Sequence, residues 1–211
     1  MEKRSVAGAP RILDGHNDVL LELSRGGRGF LGRDDTGHVD LPRALEGGFG
    51  GGLFACFIPN PEEEWDMGTA LTITGTGYEV AMAPPLNPSY AREMADLQIA
   101  ELFRIEAGSG GRLEVVRNVV ELTRCLHTDV VAAVLHFEGA ENLGPDPGGL
   151  EDLYRVGLRS LGLVWSRPNA YGFGVPFRFP ASPDTGPSLT EAGRALVREC
   201  NRLGVLVDLR T

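Results

Sequence analysis

Cysteine is scarce in this chain: Cys56, Cys125 and Cys200 are far apart, odd in number and form no C-x-x-C pair. That argues against a disulfide framework and for a reducing cytoplasm. Positive charge is also short, with 20 Lys+Arg against 29 Asp+Glu, a net charge of −9 and a pI near 5.0. Long-range attraction to nucleic acid or to an anionic membrane is therefore not expected. No apolar run approaches the roughly 20 residues that a membrane-spanning helix needs. The N-terminal MEKRSVAGAPRILDGHND lacks the apolar stretch of a signal peptide. There is no G-x-S-x-G and no recognisable cysteine nucleophile motif, so acyl-enzyme catalysis has no support. Gly50–Gly52 follow one another without the Lys-Ser/Thr of a phosphate loop, and suit a backbone that passes close to a neighbouring strand.

What is present is a globular composition, 42% apolar and 23% charged. Its 211 residues suit a single domain, residues 1–211, either of ordinary size or part of a larger one. Short apolar runs alternate with helical patterns. Strands are expected at 11–17, 51–58, 130–137, 158–165 and 205–209, with a weaker one at 113–116. Helices are expected at 40–46, opened by Asp40 as N-cap with Pro42 in the first turn, and at 88–106, 119–126, 150–156 and 188–203, the last capped by Ser188 or Thr190 and stopped at Gly204. The spacing places Met94, Leu97, Ala100, Leu102 and Ile105 on the apolar face of the longest helix. Segment 60–88 reads as loops, as does 166–188 with its five prolines. Buried strands joined by helices give an α/β protein with a parallel sheet. Doubly wound and (β/α)-barrel arrangements both fit the pattern. The last strand ends without a covering helix, so the natural molecule is expected to continue or to pair as a homodimer.

Two strands end in chemistry. In D-G-H-N-D, strand alternation puts Asp14, His16 and Asp18 on one face. In L-H-F-E-G, His136 and Glu138 share a face at the end of an apolar strand, where an ionised carboxylate needs a cation or donors. Imidazole nitrogen with carboxylate oxygen is a donor set for a divalent metal, and the carboxyl ends of parallel strands are where α/β sites form. A salt bridge from Glu138 to an arginine is the plainer use of that carboxylate. His38 and His127 sit in polar surroundings and read as surface residues. Trp165, Tyr171, Phe173, Phe177 and Phe179 cluster after the 158–165 strand, as a pocket lining or as packing.

Five motifs in order carry a resemblance. D-G-H-N-D, H-V-D-L-P-R-A-L-E-G-G-F-G-G-G, H-F-E-G-A-E, G-L-R-S-L-G-L-V-W-S-R-P-N and L-T-E-A-G-R-A-L-V-R-E-C-N-R-L-G-V-L-V-D-L resemble the membrane dipeptidase (renal dipeptidase, M19) family, in its soluble bacterial form, from about residue 11 to 209. The resemblance implies a zinc-dependent (β/α)₈ TIM barrel of which about five of eight strands are present. It implies two zinc ions and hydrolysis of dipeptides by a metal-bound hydroxide. His16 and Asp18 match ligands of the first metal. Glu138 matches the carboxylate that bridges both metals and helps orient the nucleophile. His136 has no ligand counterpart and is expected behind the ligands. Trp165 stands where family members carry a substrate-contacting histidine. The family continues L-V-D-L-S-H, with that histidine on the second metal, whereas this chain reads Leu206-Val-Asp-Leu-Arg-Thr211. A second metal site without its histidines is thus expected. The rival expectation is an inactive truncated relative that serves as a binding or interaction module.

Overall fold

The computed structural model describes residues 10–61, 63–182, 184 and 186–209. The expected absence of a leader in residues 1–9, and the terminal Arg210-Thr211, lie outside the described residues. In chain order the elements are β1 (Ile12–Asn17), α1 (Val19–Ser24), α2 (Leu41–Glu46), β2 (Phe49–Phe57), α3 (Met67–Ala70), β3 (Leu71–Ile73), β4 (Tyr78–Val80), α4 (Pro88–Gly108), β5 (Leu113–Val115), α5 (Val119–Leu126), β6 (Val131–Glu138), α6 (Gly149–Val156), β7 (Leu158–Gly162), β8 (Arg178–Phe179), α7 (Glu191–Leu203) and β9 (Leu206–Asp208). A 3₁₀ turn covers Glu141–Leu143. The main sheet has the order β1-β2-β6-β7-β9, with β5 also on β6. The pairs β1–β2, β5–β6 and β7–β9 are parallel. This is the α/β class expected from buried strands alternating with helices. Among the described residues no helix is long and apolar enough to cross a membrane.

The chain falls into two compact units: residues up to 56 with 97–135, and 57–96 with 136 onward. In the first, the glycines of β2 act as the sequence suggests. A Cβ on Gly51 would lie 2.5 Å from the Ala132 carbonyl oxygen, and one on Gly52 2.9 Å from the Asp14 Cβ. Only glycine lets β2 run this close to its neighbours. Helix α2 is opened by Asp40, which accepts a hydrogen bond from the Arg43 backbone N–H at 2.8 Å, and Pro42 occupies the first turn. Phe30 meets Phe54 edge-on at 6.1 Å, and Val116, Cys125 and Ala132 pack into a small core.

The buried stripe of α4 corrects the one expected from its sequence. It runs through Ala91, Ala95, Gln98, Leu102, Ile105 and the following Ser109, whereas Leu97 is 48% exposed and Ala100 is also exposed. Small residues and a glutamine hold the 3–4 spacing that hydrophobicity alone assigned to larger neighbours.

In the second unit, the segment expected as loops contains structure. β3 and β4 form an antiparallel hairpin, and β8, from the proline-rich segment, adds a third strand through Tyr78–Phe179 and Glu79–Arg178. A three-residue strand and a two-residue strand pairing across about 100 positions leave no periodic trace in sequence. Helix α7 begins at Glu191 because Thr190 Oγ1 accepts from the Gly193 N–H at 3.0 Å, and it ends at Gly204 in the left-handed region, φ 76°. Strand β7 stops at Gly162, three residues short of the expected end.

Candidate metal centre

Strand β1 delivers the first two candidates by an irregular route. Its register on β2 slips between Asp14 and Asn17, where Gly15 and His16 stand opposite Leu53 alone. Strict alternation therefore fails. Asp14 is set apart from the grouping that alternation suggested: its Oδ2 accepts from Asn17 Nδ2 at 2.9 Å. Asp18 lies just past the strand, at the N-cap of α1, yet makes no side-chain capping hydrogen bond. Its Oδ1 faces His16 Nε2 at 3.4 Å instead. The hydrogen bond from His16 holds the Asp18 carboxyl below the usual carboxylate range, against the opposing effect of burial, with the imidazolium charge adding to the lowering.

Glu138 is the last residue of β6, half-buried. Gly139 follows at φ 99°, and its N–H donates to the Gly162 carbonyl at 3.1 Å. A Cβ there would sit 2.2 Å from Glu141 Oε2, so the turn after Glu138 admits only glycine. His136, two residues earlier, is buried. Its Nδ1 lies 2.9 Å from Ser160 Oγ and its Nε2 3.6 Å from Asp208 Oδ2. It thus engages β7 and β9.

Among the described residues one His/Cys/Asp/Glu group has metal-ligand spacing: an atom from each of His16, Asp18 and Glu138 lies within 4.8 Å of the other two. A borderline-soft nitrogen and two anionic oxygens fit a divalent ion such as zinc, which takes three protein ligands and leaves a position for water.

A second carboxylate of this segment, Glu141, makes a buried ion pair. Its Oε1 accepts from Arg167 Nε at 2.8 Å, both side chains being almost wholly enclosed (3% and 0% exposed). Arg167 also donates from Nη1 to Asn60 Oδ1 at 2.7 Å and from Nη2 to the Ile58 carbonyl at 2.5 Å. Burial pushes the Glu141 carboxyl up, with Arg167 opposing it. Sequence reasoning passed over this cluster and over the Ser160–His136–Asp208 contacts. The available signal was the second glutamate of E-G-A-E and the lone arginine of S-R-P-N, each amid apolar residues. His38 and His127 are exposed, as expected. The aromatic cluster divides. Tyr171 is buried, Phe173 is exposed, Phe179 stacks on Tyr78 at 6.5 Å, and Trp165 contacts Phe177. All three cysteines are free and buried.

The model of the family described as "Membrane dipeptidase (Peptidase family M19)" matches residues 2–211. The chain belongs to the membrane dipeptidase family. A solved metallo peptidase from Rhodobacter sphaeroides, liganded with a phosphinate mimic of the dipeptide L-Ala-D-Ala, is 41% identical. It superposes with a TM-score of 0.84 over 95% of this chain and 58% of its own. An uncharacterised Acinetobacter calcoaceticus protein from a PQQ-III 3' region is 30% identical over 94% of this chain and 62% of its length. The dipeptidase tcpJ of Claviceps purpurea is 26% identical over 96% and 44%. The chain thus spans about two fifths to three fifths of the length of these relatives. Among M19 proteins its parallel sheet with flanking helices corresponds to part of the metallo-dipeptidase TIM barrel.

Proposed function

We propose that this M19 chain, acting as one domain, binds a divalent metal through His16, Asp18 and Glu138 and hydrolyses dipeptides, with zinc as the metal and the cytoplasm as the compartment. The single observation that carries the reading is the 4.8 Å grouping of those three ligand atoms. Its companion is 41% identity to a metallo peptidase that holds a dipeptide mimic. The bound ion would supply Lewis acidity and a water acidified to a pKa of about 7.

The protein's own residues do the rest. His16 ligates only once a ring nitrogen is free of its proton, and its Nε2 lies 3.4 Å from Asp18 Oδ1, a spacing at which both atoms can face one ion. Asp18, held anionic by that contact, contributes oxygen without first losing a proton at neutral pH. Glu138 brings a second carboxylate, so the three donors carry two negative charges toward a dication and leave the site near neutral. The glycine turn after Glu138 lets the chain leave the strand end at once. Reduced, buried cysteines support the cytoplasmic assignment.

The test is metal content and turnover of the full chain. We expect at least one zinc per chain and hydrolysis of L,L- or L,D-dipeptides that a chelator abolishes and zinc restores. His16→Ala and Glu138→Gln should weaken zinc binding by more than the roughly 10–100-fold typical of outer-shell changes. Stoichiometric zinc retained in both variants would overturn the ligand assignment. Absence of turnover in the zinc-loaded wild type would overturn the dipeptidase reading.

A further inference from the structure

Both tryptophans of the chain meet at one place. The Trp165 ring lies 4.8 Å from Phe57, 5.7 Å from Phe177 and 6.5 Å from Trp65, each contact edge-to-face at 67–89°. All four rings are half-buried rather than enclosed, unlike the nearby Tyr171. Trp65 satisfies its indole N–H on the Ala81 carbonyl at 3.0 Å, so that group asks nothing of a ligand.

The location matters as much as the chemistry. Phe57 is the last residue of β2 and Glu138 the last of β6, its neighbour in sheet order. Trp165 follows the end of β7, the next strand. The aromatic wall therefore stands at the same strand ends as Glu138, where parallel α/β sheets and barrels place ligands.

Charge decides what the wall accepts. Behind it, the Arg167 guanidinium lies 5.4 Å from the ring centroids of both Phe57 and Trp165. That cation is neutralised by Glu141, and Asn60 and Ile58 take further donors. The rings' affinity for a cation is thus met from within. Arg167 packs against the buried side of the wall, whose four rings present aromatic, uncharged faces of their own.

We infer that Phe57, Trp65, Trp165 and Phe177 form the subsite that takes a bulky apolar side chain of the dipeptide, giving this protein a preference for aromatic or branched aliphatic residues over glycine. The inference rests on the dipeptidase reading. It deepens that reading by naming which dipeptides are favoured.

The experiment compares wild type, Trp165→Ala and Trp165→Phe on Phe-Ala, Ala-Phe and Gly-Gly. Wild type should favour at least one phenylalanyl peptide over Gly-Gly. Trp165→Ala should lower kcat/KM for that peptide by about 10–100-fold, the range that an apolar pocket contact commands. The loss on Gly-Gly should be a clearly smaller factor than the loss on the phenylalanyl peptide, and Trp165→Phe should keep most of the preference, because an aromatic face remains. An equal loss on all peptides, or no wild-type preference, overturns the subsite. If Trp165→Ala fails to fold, Phe177→Ala serves in its place, with a smaller shift in the same direction.

A second readout does not need turnover. Since Trp65 and Trp165 are the only tryptophans, intrinsic tryptophan fluorescence reports on this wall alone. A change on titrating the metal-free protein with Phe-Ala or Ala-Phe, absent with Gly-Gly, supports the subsite even if no dipeptide is hydrolysed and the dipeptidase reading falls. No change with any of the three overturns the subsite, whatever the turnover.

Discussion

Two pairs of a basic side chain and a carboxylate lie at or just past strand ends in this chain and are built in opposite ways. His16 and Asp18 are 25% and 54% exposed, 3.4 Å apart, with an aspartate that declines the helix cap open to it. Arg167 and Glu141 are 0% and 3% exposed, 2.8 Å apart, and the arginine spends its other donors on Asn60 and the Ile58 carbonyl. An enclosed pair must satisfy itself, because an unpaired charge out of water is costly; a pair in contact with water can keep donor capacity for an ion. Burial separates the structural joint from the candidate ligands better than residue type does, since both pairs combine a cationic or basic group with a carboxylate.

The sharpest way to break this contrast is Arg167→Met. It leaves the Glu141 carboxylate buried without its partner, and we expect a loss of about 3–5 kcal/mol in urea unfolding. Adding Glu141→Leu should return most of that, because a buried pair replaced by apolar groups of similar volume is often neutral. A loss below about 1 kcal/mol for the single change would show that the pair is not enclosed in solution.

Tyr171 supplies an intermediate case: its hydroxyl is buried without a hydrogen-bond partner. Burial pushes the phenol up to about 12, with the charges of Asp146 and Cys200 adding to the rise. The unfolded phenol ionises near 10. The folded state therefore holds the proton more tightly, and the stability linked to it is full below about pH 10 and lost as pH rises from about 10 toward 12. Tyr171→Phe should flatten that decline in urea midpoints measured from pH 8 to 11. At pH 8 it should change stability by no more than about 1 kcal/mol, since it removes a group that gains nothing from burial.

The smallest effect belongs to the exposed pair. His16→Ala should alter metal-free stability by less than about 1 kcal/mol, as half-exposed ion pairs contribute little. A thermal or urea scan of the apoprotein measures it. A loss as large as that of Arg167→Met would erase the distinction drawn between the two pairs.

Much of this was legible in the chain itself. Strong local signals survived into the structure: the Asp40 and Thr190 caps, the left-handed Gly204 stop, the apolar run of β6 and the glycines under β2 are each set by residues within a turn of one another or by the absence of a Cβ. The strand ends of D-G-H-N-D and L-H-F-E-G drew attention to five residues, and the resemblance to the dipeptidase family narrowed them to His16, Asp18 and Glu138. The face of α4 was misread because alanine and glutamine occupy its buried positions, and their burial is decided by what packs on them.

Periodicity and capping residues, carried locally, were enough to lay out the alternation of strands and helices; the ordered motifs carried the family and, through it, the candidate ligands. The packing of the whole chain set the rest: Asp14 stands apart at a register slip, Arg167 pairs with Glu141, and two tryptophans 100 positions apart share one wall. Each depends on which distant backbone comes alongside, and pairing across long loops is fixed by the packing of the whole, which no local pattern encodes.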